Sequence, residues 1–139
     1  MKYSHLINNK IWKFYFRKVR RKRVRRKPVG QKKYLEHKEK ARELVLSRLE
    51  YFNQHYKLSF GKVAIRNQRG RWGSCSSKGN LNFNYKIVLL PPHLADYVVV
   101  HELCHRGQFN HSQKFWDLVG ETIPNYRDLR EELKKIRIN

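Results

Sequence analysis

From Tyr34 onward, apolar residues return every three or four positions: Ala41, Val45, Leu49, Phe52 and Tyr56 share one face, with Glu36 placed four residues before Lys40. The spacing predicts one amphipathic helix over residues 33–56. The period then falls to two. "KVAIR" (62–66) and "LNFNYKIV" (81–88) read as strands, the second with Leu81, Phe83, Tyr85 and Ile87 on one face and Asn82, Asn84 and Lys86 on the other. Between them, "RGRWGSCSSKGN" predicts a short strand around Trp72 that closes in a turn at Lys78-Gly79-Asn80. Pro91-Pro92 ends the strand and opens a helix, "HLADYVVVHELCHR", over about 93–106, with Gly107 as its stop. "SQKFWDLVGETI" and "YRDLREELKKI" give two more helices on either side of Pro124. A helix, a small three-stranded sheet and three further helices make the predicted fold class α+β.

The helix over 93–106 breaks the ordinary pattern. Tyr97, Val98, Val99, Val100, Leu103 and Cys104 leave it apolar nearly all round, so it should be buried on most sides. Yet it carries His101, Glu102 and His105, and hiding two imidazoles and a carboxylate is costly unless something compensates them. These residues spell H-E-x-x-H, expected by chance only about 0.02 times in a chain with this many histidines and glutamates. Two histidines four apart project from one helix face and can reach one tetrahedral ion at about 2.0–2.1 Å. Glu102, one residue on, is rotated by about 100° and flanks the ion. His111 supplies a third ligand if the chain turns back after Gly107, which leaves the fourth position open. The residues therefore point to a zinc (Zn2+) site with Glu102 as proton acceptor.

Neighbouring residues carry weaker expectations. Asn82 and Asn84, on the strand before this helix, can meet an extended peptide or simply face solvent. Tyr126 can donate to a developing oxyanion, although packing is its commoner use. Trp72, Phe115 and Trp116 are expected to pack around the site, and Asp96 to be a favourable charge in the first helical turn. Cys75 and Cys104 are expected as buried thiols.

Charge changes the picture at one end only. The net charge is +21, and fourteen of the thirty-two Lys and Arg lie in residues 1–33, which contain no Asp or Glu. Here Trp12, Phe14, Tyr15 and Phe16 alternate with cations before a nearly pure run containing Arg20, Arg21, Lys22, Arg23, Arg25 and Arg26. The division expected is a basic N-terminal arm, 1–33, and a catalytic domain, 34–139. Such an arm suits DNA or RNA, with cations on phosphates and aromatics on unpaired bases; an anionic membrane surface or the chain's own domain are the competing partners. Two cysteines are too few for a disulfide framework, and neither a membrane span nor a secretory signal is evident, so the expected location is cytoplasmic.

"RWGSCSSKGNLNFNYKIVLLPPHLADYVVVHELCH" followed by "NHSQKFW" resembles the YgjP-like metallopeptidase family, similar in outline to SprT-like zinc proteases. The H-E-x-x-H-x5-H spacing also matches metzincins, but these have glycine where this chain has Gln108. The resemblance implies a minimal zincin-like domain in which His101, His105 and His111 bind zinc and Glu102 is the general base. It implies a peptide or protein substrate. Two alternatives stand beside it: a metal-dependent nucleoside-triphosphate hydrolase (pyrophosphatase) on the same site, for which no Gly-rich phosphate loop is present, and a nucleic-acid-binding module with a structural zinc.

Overall fold

The stripe beginning at Tyr34 forms the first helix, α1 (Gln31–Tyr56), which buries Ala41, Val45, Leu49 and Phe52. This is a computed structural model, and it describes residues 30–138. Arg20, Arg21, Lys22, Arg23, Arg25 and Arg26 therefore lie outside the described residues, together with the arm's aromatics. At the other end of α1, Lys57 takes a left-handed φ of 51°, uncommon for a residue with a side chain. Asn53 secures this turn: its side chain accepts from Leu58 N and donates to Leu58 O, each at 2.9 Å. Tyr56 stays at the core's edge, its hydroxyl donating to Leu118 O at 2.8 Å.

The sheet has three strands, β1 (Val63–Arg66), β2 (Gly73–Cys75) and β3 (Leu81–Asn84), in the order β1-β3-β2. β3 pairs parallel to β1, with Val63 opposite Leu81, and antiparallel to β2, with Ser74 opposite Asn82. β3 is thus central and β2 is an edge.

The strand expected over 81–88 stops at Asn84, and Tyr85–Leu89 form a 3-10 helix. Asn84 causes the break. Its side chain accepts from Lys86 N at 3.1 Å, capping the helix, and donates to Gln68 O at 2.7 Å and Arg71 O at 3.1 Å. Tyr85 and Ile87 remain buried, so the apolar alternation that suggested a longer strand survives in another backbone conformation. Asn84 itself is fully buried, not on an open face.

The next helix, α2 (Pro92–Cys104), starts with proline in its first turn and buries nine of its thirteen residues. Asp96 lies beyond that first turn and accepts a two-pronged bond from Arg48 of α1, Nε at 2.6 Å and Nη2 at 2.8 Å. The expected helix-end role of Asp96 therefore gives way to a link between helices. α2 ends before Gly107, which does not adopt the left-handed conformation of a glycine stop. Gly107 is small for another reason: a Cβ there would lie 2.9 Å from a Leu118 methyl. Two short helices follow, α3 (Gln113–Gly120) and α4 (Tyr126–Lys135), packed against α2. Among the described residues no helix is long and apolar enough to cross a membrane.

Candidate metal centre

The last turn of α2 and its C-cap residue present His101 and His105 with ring centroids 4.9 Å apart. The chain then turns through hydrogen bonds from Gly107 N and Gln108 N to Cys104 O, both 2.9 Å. That reversal returns His111 to within 5.0 Å of the His101 ring and 4.7 Å of the His105 ring. One ligating nitrogen from each histidine lies within 4.8 Å of the others. Phe115 of α3 is fully buried and wedges the three rings, stacked on His105 at 4.5 Å and edge-on to His101 and His111. Trp116 stacks on the outer face of His111 at 5.6 Å, and Tyr126 stacks on Trp116 at 5.2 Å.

This donor set fits a metal. Imidazoles bound tetrahedrally at about 2.0–2.1 Å have nitrogens about 3.3 Å apart, and His101 Nε2 and His111 Nε2 are 3.1 Å apart. The Nδ1 atom of His105 lies 3.1 Å from Gln108 O. Donation to that carbonyl keeps the His105 proton on Nδ1 and leaves Nε2 free as a ligand. Among the described residues, no fourth His, Cys, Asp or Glu joins the group. Borderline nitrogen donors of this kind suit zinc and its first-row neighbours.

Burial sets the electrostatics. His101 is pushed down to about 3, first by desolvation and then by the charges of His105, His111 and Arg130. His105 is lowered by burial, against the pull of the Gln108 carbonyl. Both rings are thus neutral, as ligands must be. Glu102 is only 7% exposed, and burial pushes its carboxyl up to about 8 despite nearby Arg71.

Glu102 owes its location to β2. A Cβ on Gly73 would meet Glu102 Cγ at 2.6 Å and Oε1 at 2.8 Å, so the strand must carry glycine there for the carboxylate to lie against its backbone. This pairing depends on sheet order and has no signature in the spacing of the motif. A cleft of about 590 Å³ opens beside it, lined by Trp72, Gly73, Tyr97, His101, Glu102 and Arg130 among others. Tyr97 precedes His101 by one helical turn, a spacing that places it on the same face.

His101, Glu102, His105 and His111 are therefore brought together, whereas the three weaker candidates are not. Asn84 is buried under the loop of residues 68–71, which it ties down. Asn82 sits on the central strand, 3.5 Å from Ser74 Oγ, where both neighbouring strands already occupy the backbone. Tyr126 lines a smaller cavity with Trp116 and Arg130, one aromatic ring away from His111. Cys104 is buried as expected, while Cys75 is half-buried.

The fold resembles two solved structures. The metallopeptidase zymogen abylysin of Pyrococcus abyssi shares 22% identity at a TM-score of 0.60, over 66% of this chain and 92% of that one. The metallopeptidase zymogen jannalysin of Methanocaldococcus jannaschii shares 20% identity at a TM-score of 0.53, over 68% of this chain and 94% of that one. No curated protein matches. The YgjP-like metallopeptidase domain matches residues 4–136, a span that takes in most of the basic segment as well as the three histidines, and the chain belongs to the YgjP-like metallopeptidase family.

Proposed function

We propose that this metallopeptidase is zinc-dependent, with His101, His105 and His111 as ligands and Glu102 as general base. The observation that carries the reading is the convergence of three imidazole nitrogens within 4.8 Å beside a buried carboxylate. Zinc, when bound, supplies Lewis acidity, polarising the scissile carbonyl and lowering the pKa of water to about 7. Glu102 takes a proton from the attacking water and delivers it to the leaving amine. Its burial suits both steps, because a carboxylate in a dry setting is a stronger base than one in water. Gly73 keeps the carboxylate beside the edge strand β2, along which an extended peptide can add its own backbone. That edge takes over the role first considered for Asn82 and Asn84.

Glu102→Gln tests the general base. The variant is expected to keep one zinc per chain by elemental analysis while peptide hydrolysis falls by about a thousandfold. Turnover equal to the parent's removes Glu102 from the chemistry.

A second part of the proposal concerns residues 1–33, with fourteen cations and no acid. They recruit the enzyme to nucleic acid. With about eight phosphates engaged, the logarithm of affinity falls with the logarithm of salt at a slope near −7; a slope near zero contradicts the recruitment.

A further inference from the structure

The cleft beside Glu102 has an apolar floor, including Tyr97, Val98 and Leu133, and a cationic rim of Arg69, Arg130, Lys134 and Arg137. Its lining contains no acid except Glu102. A cationic rim alone means little in a chain of net charge +21. Arg130 is distinguished by how it is held. Its guanidinium carbon lies 4.9 Å from the centre of the Trp116 ring, and the same ring stacks on His111. A cation on an aromatic face loses much of its rotational freedom before any ligand arrives.

Arg130 also has no ion-pair partner among the described residues, whereas Arg42, Arg48 and Lys134 each hold a carboxylate. It borders both the main cleft and the smaller cavity beneath Tyr126. The main cleft also holds His101, Glu102 and Tyr97, so the Arg130 charge shares one opening with the candidate metal site. A planar five-donor group, held in place and lacking an acid, matches a carboxylate better than any other peptide group.

We propose that Arg130 anchors a carboxylate of the peptide substrate, beside an apolar residue that rests on Tyr97, Val98 and Leu133. The carboxylate is an Asp or Glu side chain near the scissile bond, or the substrate's own terminal carboxylate. This rests on the peptidase reading, deepens it to a substrate class, and makes Arg130 a specificity determinant.

The test uses zinc-loaded Glu102→Gln protein and short fluorescent peptides of one apolar sequence, with affinity read by anisotropy. One peptide carries an internal Glu and an amidated end, a second carries Gln and a free terminal carboxylate, and a third carries Gln and an amidated end. At least one carboxylate peptide should bind about tenfold tighter than the third, and which one does identifies the source. Adding Arg130→Ala should abolish the advantage, and Arg130→Lys should restore part of it. Arg42→Ala, which removes a cation outside the cleft, should leave it intact. Equal affinities for all three peptides, or an advantage that survives Arg130→Ala, overturn the proposal. Cleavage by the otherwise unmodified protein separates the two readings. Carboxylate-selective binding without cleavage leaves the anchor standing and removes the peptidase, whereas cleavage without selectivity removes the anchor alone.

Discussion

α1 and α2 are joined by the Arg48–Asp96 fork, yet they are built by opposite rules. α1 buries a single stripe and, apart from Arg48, leaves most of its charged residues towards water, the cheap arrangement for a scaffold. α2 is buried over most of its surface and still carries His101 and Glu102 in its last turn and His105 at its C-cap. The depressed His101 and the raised Glu102 have one cause: burial favours whichever form is neutral. Both helices supply the apolar core, and of the two only α2 buries polar groups within it, at a cost in stability.

Substitution in the histidine cluster and on α1 should separate metal binding from packing. His111→Ala is expected to remove bound zinc and at least about ten-thousandfold of peptide hydrolysis, while the metal-free fold keeps its melting temperature within a few degrees. Leu49→Ala on α1 should do the reverse, lowering unfolding free energy by about 3 kcal/mol with one zinc still bound per folded chain. A His111→Ala protein that unfolds outright, or a Leu49→Ala protein that loses metal while folded, breaks the division.

Gly73→Ala sharpens it further. The added methyl has no room unless Glu102 moves, so hydrolysis should fall by about a hundredfold with zinc content and fold preserved. Unchanged activity means that Glu102 works from elsewhere.

The smallest effect expected is a pH dependence in the metal-free protein. Glu102 is raised from 4.5 to about 8 in the fold, so its native state holds a proton that the unfolded state releases. Its contribution is fully present below about pH 4.5 and is lost as pH rises through 8. Glu102→Gln, which cannot ionise, should therefore gain on the metal-free parent over that window, by about 2 kcal/mol at its upper end, read by urea unfolding. His101 works in the opposite direction in both proteins and cancels from the difference. A gap that shrinks as pH rises contradicts the assignment of a buried, proton-holding Glu102.

What was legible in the sequence is what local geometry decides. The i, i+4 spacing of His101 and His105 on an apolar helix, and a reversal returning His111, need only the helical period and one turn. The stripe of α1 is equally local. Features that depend on sheet order were invisible: β2 lies at the edge, Gly73 faces Glu102, and β3 is flanked on both sides. Asn84 misled for a related reason, since one buried amide bonding to three backbone groups ends a strand that alternation alone would extend. Arg130 left no signal at all, because its meaning comes from Trp116 on another helix.

X-ray absorption at the zinc edge of the purified protein tests the central claim most directly. Three imidazole nitrogens at about 2.0–2.1 Å and no sulfur at about 2.3 Å are expected, with one imidazole fewer in whatever zinc His111→Ala retains. Sulfur scattering from Cys75 or Cys104, or an imidazole count unchanged by that substitution, would contradict the three-histidine centre.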